Sequence, residues 1–283
     1  MKRILVPTDF SPTAEKAFRY ALELAAQREG KVYLFHVYTP VESPFIETVE
    51  VRREYNLERE QALMHDLHRL RDQLQPQYPQ VSVTVVLARS PLVQSTLRFC
   101  HENNIDLLVM GTQGASGLKK VLLGTIAARL LEKTEVPLLL VPEEFAWKKP
   151  RELVIATTTP QVDLTALSTA SQLADCFDAR LTAVHLVAGE VEELEKVQEE
   201  FSRHTQQLSL ELEVPSLSGK VLRNWSISEG LETLHEEVPY DLLVMVKRKK
   251  TFLQYFYQES LTQHMAYLTR LPLLVIPPTP LSN

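Results

Sequence analysis

The chain has 283 residues, of which 45% are hydrophobic and 23% charged, a composition typical of a globular protein long enough for two ordinary domains. Its formal net charge of −6 argues against nucleic acid as a partner, because a nucleic-acid-binding surface normally needs a basic excess. No apolar run in the sequence approaches the roughly 18–20 residues of a membrane span, so a membrane is not an expected partner either.

Short apolar runs alternate with longer amphipathic stretches along the first half of the chain. The expected strands are Ile4–Pro7, Val32–Val37, Val81–Leu87, Leu107–Met110 and Leu138–Val141. The expected helices between them are Ser11–Arg28, Val51–Leu74, Pro91–Asn103 and Thr125–Lys133. The strands are nearly continuous apolar runs, which are typical of parallel strands covered on both faces. This pattern predicts an α/β fold with an open, mostly parallel, five-stranded sheet and helices on both faces.

Residue patterns recur along the chain at two constant offsets. The pentapeptide Asp106–Met110 occurs again as Asp241–Met245, at an offset of 135. Near the start of each half the offset is 149, where Ile4–Val6 matches Leu153–Ile155. The difference of 14 residues indicates an insertion in the first copy around Tyr38–Leu57. Two ungapped registers in the same order predict a duplicated domain.

The duplication predicts two tandem doubly wound, Rossmann-like domains, each with its own five-stranded sheet. Their expected boundaries are residues 1–142 and 151–283, with a linker at Glu143–Pro150. One segment of the second copy is ambiguous, because Leu208–Val214 alternates like a strand while Lys220–Trp225 offers another strand. Both alternatives stay open at the level of sequence.

A cluster of glycines follows the fourth expected strand. The chain has only eight glycines, and four of them lie together, namely Gly111, Gly114, Gly117 and Gly124. Glycines permit the close backbone approach that a loop around a phosphate needs. Gly124 and Thr125 then open a helix, whose N-terminus offers free N–H groups, a positive dipole end and a threonine hydroxyl. The spacing differs from the Walker and G-x-G-x-x-G patterns, which disfavours a dehydrogenase.

The spacing from Gly111 to Thr125 resembles the G-x2-G-x9-G-[S/T] signature of ATP-binding universal stress proteins. The surrounding sequence, DLLVMGTQGASGLKKVLLGTIA, is similar to that family throughout, and so is ILVPTDFS at Ile4–Ser11. The family's acidic residue after the first strand corresponds to Asp9, whose carboxylate can accept hydrogen bonds from ribose hydroxyls. The resemblance covers the whole chain as a tandem pair.

The resemblance implies a nucleotide site in the first domain, with ATP as its ligand, with or without Mg²⁺. The implied contacts, from the adenosine side to the phosphates, are Pro7, Thr8, Asp9, Val37, Met110, Gly111, Gly114, Gly124, Thr125 and Ile126. The first three line the adenosine side, and Val37 contacts adenine through its backbone. The next three flank the ribose and phosphates, and the last three hold the phosphates. No catalytic or metal-ligating residue is implied.

The second copy departs from this signature at every glycine. The residues at the matching positions are Val246, Lys249, Phe252 and Glu259 for the four glycines, Thr158 for Asp9 and Ser260 for Thr125. A glutamate beside the phosphate position would repel the ligand, and Cβ atoms would block the approach of the backbone. We therefore expect no ATP site of the usual kind in the second domain. His36 and His185 share a repeat position at a strand end, where we expect a structural role.

The expected function is that of a cytoplasmic stress-response protein that binds ATP in its first domain and acts in regulation rather than catalysis. A cytoplasmic location is expected because Cys100 and Cys176 have no CxxC spacing and no apolar stretch of signal-peptide length follows the N-terminus. Two alternatives stay open. One is a slow ATPase or a related nucleotide-processing enzyme, and the other is an interaction scaffold with a vestigial nucleotide site.

Each copy ends in a short apolar strand, Leu138–Val141 in the first and Leu273–Ile276 in the second. As the last strand of an open sheet, each would leave one edge of backbone N–H and C=O groups unpaired. We therefore predict that the two strands pair antiparallel about a pseudo-two-fold axis, which would give an intramolecular pseudo-dimer. Association of the whole chain into a further homodimer stays open.

Overall fold

The computed structural model describes residues 1–42, 48–112, 124–188, 194–214, 217–224, 226–247 and 270–278. In the first half of the chain, strands and helices alternate as predicted. The elements are β1 (Arg3–Pro7), α1 (Pro12–Ala26), β2 (Lys31–Tyr38), α2 (Val49–Leu74), a 3₁₀ turn (Gln75–Gln77), β3 (Ser82–Arg89), α3 (Leu92–Glu102), β4 (Leu107–Gly111), α4 (Thr125–Lys133) and β5 (Leu138–Val141). Their bounds differ from the predicted ones by two residues or fewer.

Hydroxyl side chains mark the beginning of two of these helices. Ser11 caps α1, because its Oγ accepts a hydrogen bond from the N–H of Ala14 at 3.2 Å. Thr48 caps α2 in the same way, through the N–H of Val51. α4 differs from both, because it begins after Gly124 and has no side-chain cap. Its cap residue therefore offers no side-chain acceptor to the first N–H groups of the helix.

The second half repeats the alternation. The elements are β6 (Glu152–Thr157), α5 (Leu164–Phe177), β7 (Arg180–Ala188), α6 (Leu194–Glu211), β8 (Leu217–Asn224), α7 (Ile227–Glu237), β9 (Leu242–Val246) and β10 (Leu273–Ile276). α2 has 26 residues and α6 has 18, so the helix after the second strand is the longer one in the first half.

The ambiguous segment of the second half is resolved by β8. The strand contains Lys220 and ends at Asn224, so the alternative at Lys220–Trp225 is close to the observed strand, while a strand at Leu208–Val214 is wrong. Helix α6 continues through Glu211, and its buried residues Phe201, Thr205 and Leu208 recur at helical spacing. Leu210 is 77% exposed, so the apparent two-residue alternation did not correspond to a buried face.

The strands of both halves form one ten-stranded sheet in the order β3-β2-β1-β4-β5-β10-β9-β6-β7-β8. All neighbours within each half are parallel, which gives two doubly wound sets of five strands with the same internal order. The antiparallel contact expected between the two terminal strands is confirmed, because Leu139 of β5 lies opposite Leu274 of β10. Both side chains are fully buried at the centre of the sheet.

The aspartate that opens the repeated pentapeptide has the same structural role in both halves. Asp106 accepts hydrogen bonds from the backbone N–H groups of Lys2–Arg3 at 2.6 and 2.9 Å. Asp241 accepts from the corresponding groups of Arg151–Glu152 at 2.8 and 3.1 Å. Each aspartate thereby ties the start of the fourth strand of its half to the start of the first strand.

Candidate functional site

The carboxyl ends of β1, β2 and β4 surround a cleft of about 320 Å³ at one edge of the first-half sheet. β1 lies between β2 and β4, so the order of the strands reverses at this position. Ligands of open α/β sheets bind at such a switch point, outside the carboxyl ends of the strands. The first turns of α1, α3 and α4 complete the wall of the cleft.

Nine of the ten residues named from the sequence lie together in this lining. They are Pro7, Thr8, Asp9, Val37, Met110, Gly111, Gly124, Thr125 and Ile126. The tenth, Gly114, lies outside the residues that the structure describes. The structure thus brings the nine residues to one place, while their contacts with a ligand stay a prediction.

The lining also contains residues that the sequence analysis did not name: Ala14, Phe35, Leu92, Thr112 and Ala127. Phe35 precedes Val37 by two residues on β2, and the two-residue period of a strand places both side chains on one face. The strand periodicity could therefore have predicted Phe35 as a lining residue once Val37 was named. Leu92 and Ala14 come from the first turns of α3 and α1, for which the sequence held no comparable signal.

The loop after β1 presents Asp9 to the cleft in a fixed geometry. The N–H of Thr8 donates to the carbonyl of Phe35 at 2.8 Å, which extends the pairing of β1 with β2 by one residue. The side-chain Oγ1 of Thr8 accepts from the N–H of Phe10 at 3.0 Å, and Oδ1 of Asp9 accepts from the N–H of Ser11 at 3.0 Å. These bonds fold the loop back on itself and leave Asp9 exposed at the cleft.

The N-terminus of α4 forms the opposite side of the cleft. Gly124 is the cap residue, and its own N–H donates to the carbonyl of Thr112 at 2.7 Å. The N–H groups of the first helical turn, at Thr125, Ile126 and Ala127, belong to the free donors of a helix end. The first turn carries no acidic residue, so the positive end of the helix dipole is not compensated there. This end of the cleft can hold an anion.

The charge distribution of the cleft is therefore asymmetric. Asp9 is the one ionisable side chain in the described part of the lining. Phe35, Val37 and Leu92 give the β2 side of the cleft an apolar surface. A ligand suited to this arrangement has an apolar part, a hydrogen-bond donor near the carboxylate and an anionic part at the helix end.

Gly111 is required by packing as well as by access to the cleft. A Cβ atom at this position would lie 2.6 Å from Cγ2 of Thr13 and 3.2 Å from the Cβ and carbonyl carbon of the same residue. Thr13 is buried in the first turn of α1. The resemblance implies a role for this glycine in the phosphate loop, and the close approach of α1 to β4 is a second reason for it.

The corresponding helix of the second half begins later along the chain. Val246 stands at the position of Gly111 and is the last residue of β9. The repeat offset of 149 places the counterpart of Pro12 at residue 161, but α5 begins only at Leu164. The counterpart of Thr13, at residue 162, therefore lies before α5 and not in its first turn. The counterparts of the other three glycines fall outside the described residues.

Comparison with known proteins gives consistent matches. The model of the universal stress protein family matches residues 1–142. Universal stress protein MJ0531 of Methanocaldococcus jannaschii is 26% identical in an alignment over 156 residues that covers 53% of this chain and 84% of that protein. Universal stress protein MJ0577 of the same organism is 24% identical over 152 residues, 50% of this chain and 94% of that protein.

A solved structure extends the likeness of fold to both halves. The crystal structure of a universal stress protein from Archaeoglobus fulgidus DSM 4304 covers 97% of this chain and 96% of its own, with a TM-score of 0.65 at 16% identity. Within the part of the chain that the structure describes, no helix has the length and apolar character to cross a membrane. The family match spans half of the 283 residues and includes every described residue of the cleft. The chain therefore belongs to the universal stress protein family.

Proposed function

We propose that this protein is a cytoplasmic tandem universal stress protein that binds ATP in its first domain, residues 1–142, and not in its second domain, residues 151–283. One observation carries the proposal: Asp9, Val37 and the uncapped N-terminus of α4 face a single cleft at the switch point of the sheet. The three features suit the ribose, the base and the phosphates of one nucleotide.

Charge sets the orientation of the ligand in the cleft. Two unit charges of the same sign, 4 Å apart near a protein surface, repel each other by about 4 kcal/mol. The phosphates therefore lie at α4, away from the Asp9 carboxylate, and the ribose hydroxyls donate to Asp9. The adenine then lies against the apolar surface that Phe35, Val37 and Leu92 form.

Mg²⁺ enters this proposal with the nucleotide. Among the described residues, no group of three or more His, Cys, Asp and Glu side chains is placed to hold a metal ion. Mg²⁺ typically binds through substrate phosphates, water and one or two carboxylates, and does not need a cage built only from protein. The described lining offers only Asp9 as a carboxylate, so the phosphates of the nucleotide and water would supply most of the oxygen ligands of the ion.

The chemistry of the cleft favours binding without turnover. The described lining holds no histidine, lysine or cysteine that could act as a general base or nucleophile. Asp9 already accepts a hydrogen bond from Ser11 within its own loop. Burial also raises the pKa of the Cys100 thiol to about 12, so that thiol is not a nucleophile at neutral pH. We therefore place regulation ahead of ATP hydrolysis.

The joint between the halves completes the proposal as an intramolecular pseudo-dimer. Antiparallel pairing of β5 with β10 supports it, because each strand covers the sheet edge that the other would leave open. A two-fold axis between the paired strands would relate the two domains, as it relates the subunits of a symmetric dimer. The linker at Glu143–Pro150 has no regular secondary structure.

Isothermal titration calorimetry with ATP and adenosine tests the nucleotide site. We expect one ATP per chain. Thr125→Val should weaken ATP about two- to ten-fold, because one hydrogen bond to a phosphate is lost, and should leave adenosine unchanged. Asp9→Asn should weaken both ligands by about ten-fold or more, since the bonds to the ribose are to a charged acceptor.

The second domain supplies matched controls for these variants. Thr158→Val and Ser260→Val change the counterparts of Asp9 and Thr125 and should leave both affinities at the wild-type value. Two equal ATP sites per chain, or no ATP binding by the wild type, would contradict the proposal. An ATPase rate of about 1–1000 per second that is lost in Asp9→Asn would favour the enzyme alternative instead.

A further inference from the structure

His36 contacts the loop Thr8–Ser11, which carries Asp9, from the side of β2 that faces away from the cleft. Phe35 and Val37 line the cleft, and because side chains alternate along a strand, His36 between them lies on the opposite face. Its Nδ1 atom lies 2.7 Å from the carbonyl oxygen of Thr8. A carbonyl only accepts, so Nδ1 carries the hydrogen and donates it.

The same imidazole ring contacts the other end of the loop. The ring of Phe10 lies 4.7 Å from that of His36, measured between centroids, at an interplanar angle of 41°. Phe10 has a φ of 64°, which is the left-handed region that side chains other than glycine adopt at a cost of about 1–2 kcal/mol. Such a conformation persists where surrounding contacts determine it, and His36 provides two of them around Asp9.

The second half provides an internal comparison. His185, at the position of His36, has its Nδ1 3.3 Å from the carbonyl of Thr157, which is a longer contact. Its ring contacts Phe201 of α6, at 5.5 Å between centroids. Burial lowers the pKa of His185, against the opposing effect of the bond to Thr157. Both histidines thus lie near the carbonyl at the end of the first strand of their half. The ring of His185 contacts α6, whereas the ring of His36 contacts Phe10.

We infer that His36 is a positioning residue for the ribose side of the nucleotide cleft, because it holds the loop that presents the Asp9 carboxylate. The inference rests on the proposed binding of ATP. His36 acts on affinity through Asp9 and does not touch the ligand. His185 has a packing role in the second domain and does not affect affinity for the nucleotide.

Two amide variants of matched polarity test the hydrogen bond itself. The side-chain nitrogen of asparagine lies near the position of Nδ1, so His36→Asn should keep the bond to Thr8 and bind ATP within about three-fold of the wild type. The longer side chain of His36→Gln places its nitrogen near the position of Nε2. His36→Gln should therefore weaken ATP and adenosine by about five- to thirty-fold, alike for both ligands.

A double-mutant cycle separates positioning from general stability. In an Asp9→Asn background, His36→Gln should weaken ATP by less than about two-fold, because the group that it positions is already gone. His185→Gln, measured in parallel, should leave ATP affinity unchanged whatever it does to the melting temperature. Circular dichroism of each variant confirms that it is folded before titration.

The outcomes are distinct. Wild-type affinity in folded His36→Gln, or an equal loss of affinity in the Asp9→Asn background, overturns the positioning role while the ATP site stands. An equal loss from His36→Asn and His36→Gln also overturns it, because the donor at Nδ1 would not matter. Absence of ATP binding by the wild type overturns both this inference and the proposed function.

Discussion

Replacing Gly111 by alanine inserts a methyl group where the end of β4 meets the first turn of α1. The new Cβ would lie 2.6 Å from Cγ2 of Thr13, a distance that non-bonded carbon atoms do not adopt. Thr13 has little room to move away, because its side chain is buried and its Cβ and carbonyl carbon also lie only 3.2 Å from the new Cβ atom. The first turn of α1 must therefore shift.

The magnitude follows from two opposing effects. Inserting a methyl group into a well-packed region costs about 1–3 kcal/mol. Replacing glycine by alanine in a strand returns about 0.5–1 kcal/mol, because the unfolded chain loses conformational freedom. Because a contact of 2.6 Å places the cost in the upper part of its range, the free energy of unfolding should fall by a net amount of about 1–2 kcal/mol. At about 2–4 °C per kcal/mol for a chain of this order of size, the melting temperature should fall by about 2–8 °C.

Thermal and urea unfolding followed by circular dichroism measure this effect, without any ligand. Thr13→Ser removes the Cγ2 atom, so it should destabilise the wild type slightly and recover about 1 kcal/mol in the Gly111→Ala background. A Gly111→Ala variant as stable as the wild type would refute the packing argument. So would a double variant whose loss is the sum of the two single losses.

Two further predictions concern charged groups of the second half. Burial alone would raise the pKa of Asp241, but hydrogen bonds from the start of β6 and from Lys148 outweigh this effect and lower the pKa below 3.8. The ionised carboxylate therefore stabilises the folded protein above pH 3.8, and this stabilisation is lost as the pH falls further. In urea unfolding at pH 7, Asp241→Asn should be about 1–2 kcal/mol less stable than the wild type, and the difference should be smaller at pH 2–3. A difference that does not change with pH would contradict this prediction. Lys247→Met removes a hydrogen bond to the carbonyl of Glu132 at the end of α4 and should lower the free energy of unfolding by about 1 kcal/mol. Lys133→Met, on the exposed face of the same turn, should lower it by about a few tenths of a kcal/mol. Equal losses of stability would show that the contact between the halves contributes nothing.

Most of the fold and of the cleft lining could be predicted because both depend on strand periodicity and order. Continuous apolar runs such as Leu138–Val141 identify parallel strands buried on both faces. The resemblance to the family implied that Asp9 and Thr125 belong to one site. The fold agrees with this, because the carboxyl ends of parallel strands share an edge of the sheet. The pairing of the two terminal strands was predictable because each would otherwise leave one edge of its sheet open.

What the sequence could not supply were contacts between elements far apart in the chain. The buried face of α6 includes Leu208, but only its contacts distinguish that helix from an alternating strand. The role of Asp106 depends on the backbone at Arg3, more than 100 residues away. Likewise, the sequence around Gly111 does not predict that Thr13 packs against this glycine. Local patterns predict elements, while the fit between them requires the structure.

The antiparallel joint between β5 and β10 gives α4 two different environments. It places the carboxyl ends of the first-half strands and those of the second-half strands at opposite edges of the sheet. α4 connects the parallel strands β4 and β5, so it runs antiparallel to them, from the cleft at its N-terminus to the other edge. There the ammonium group of Lys247, after β9, donates to the carbonyl of Glu132. A cation at the C-terminus and an anion at the N-terminus both stabilise the same helix dipole. The second half therefore contributes to the helix that forms the proposed phosphate site, in addition to covering the edge of the first-half sheet.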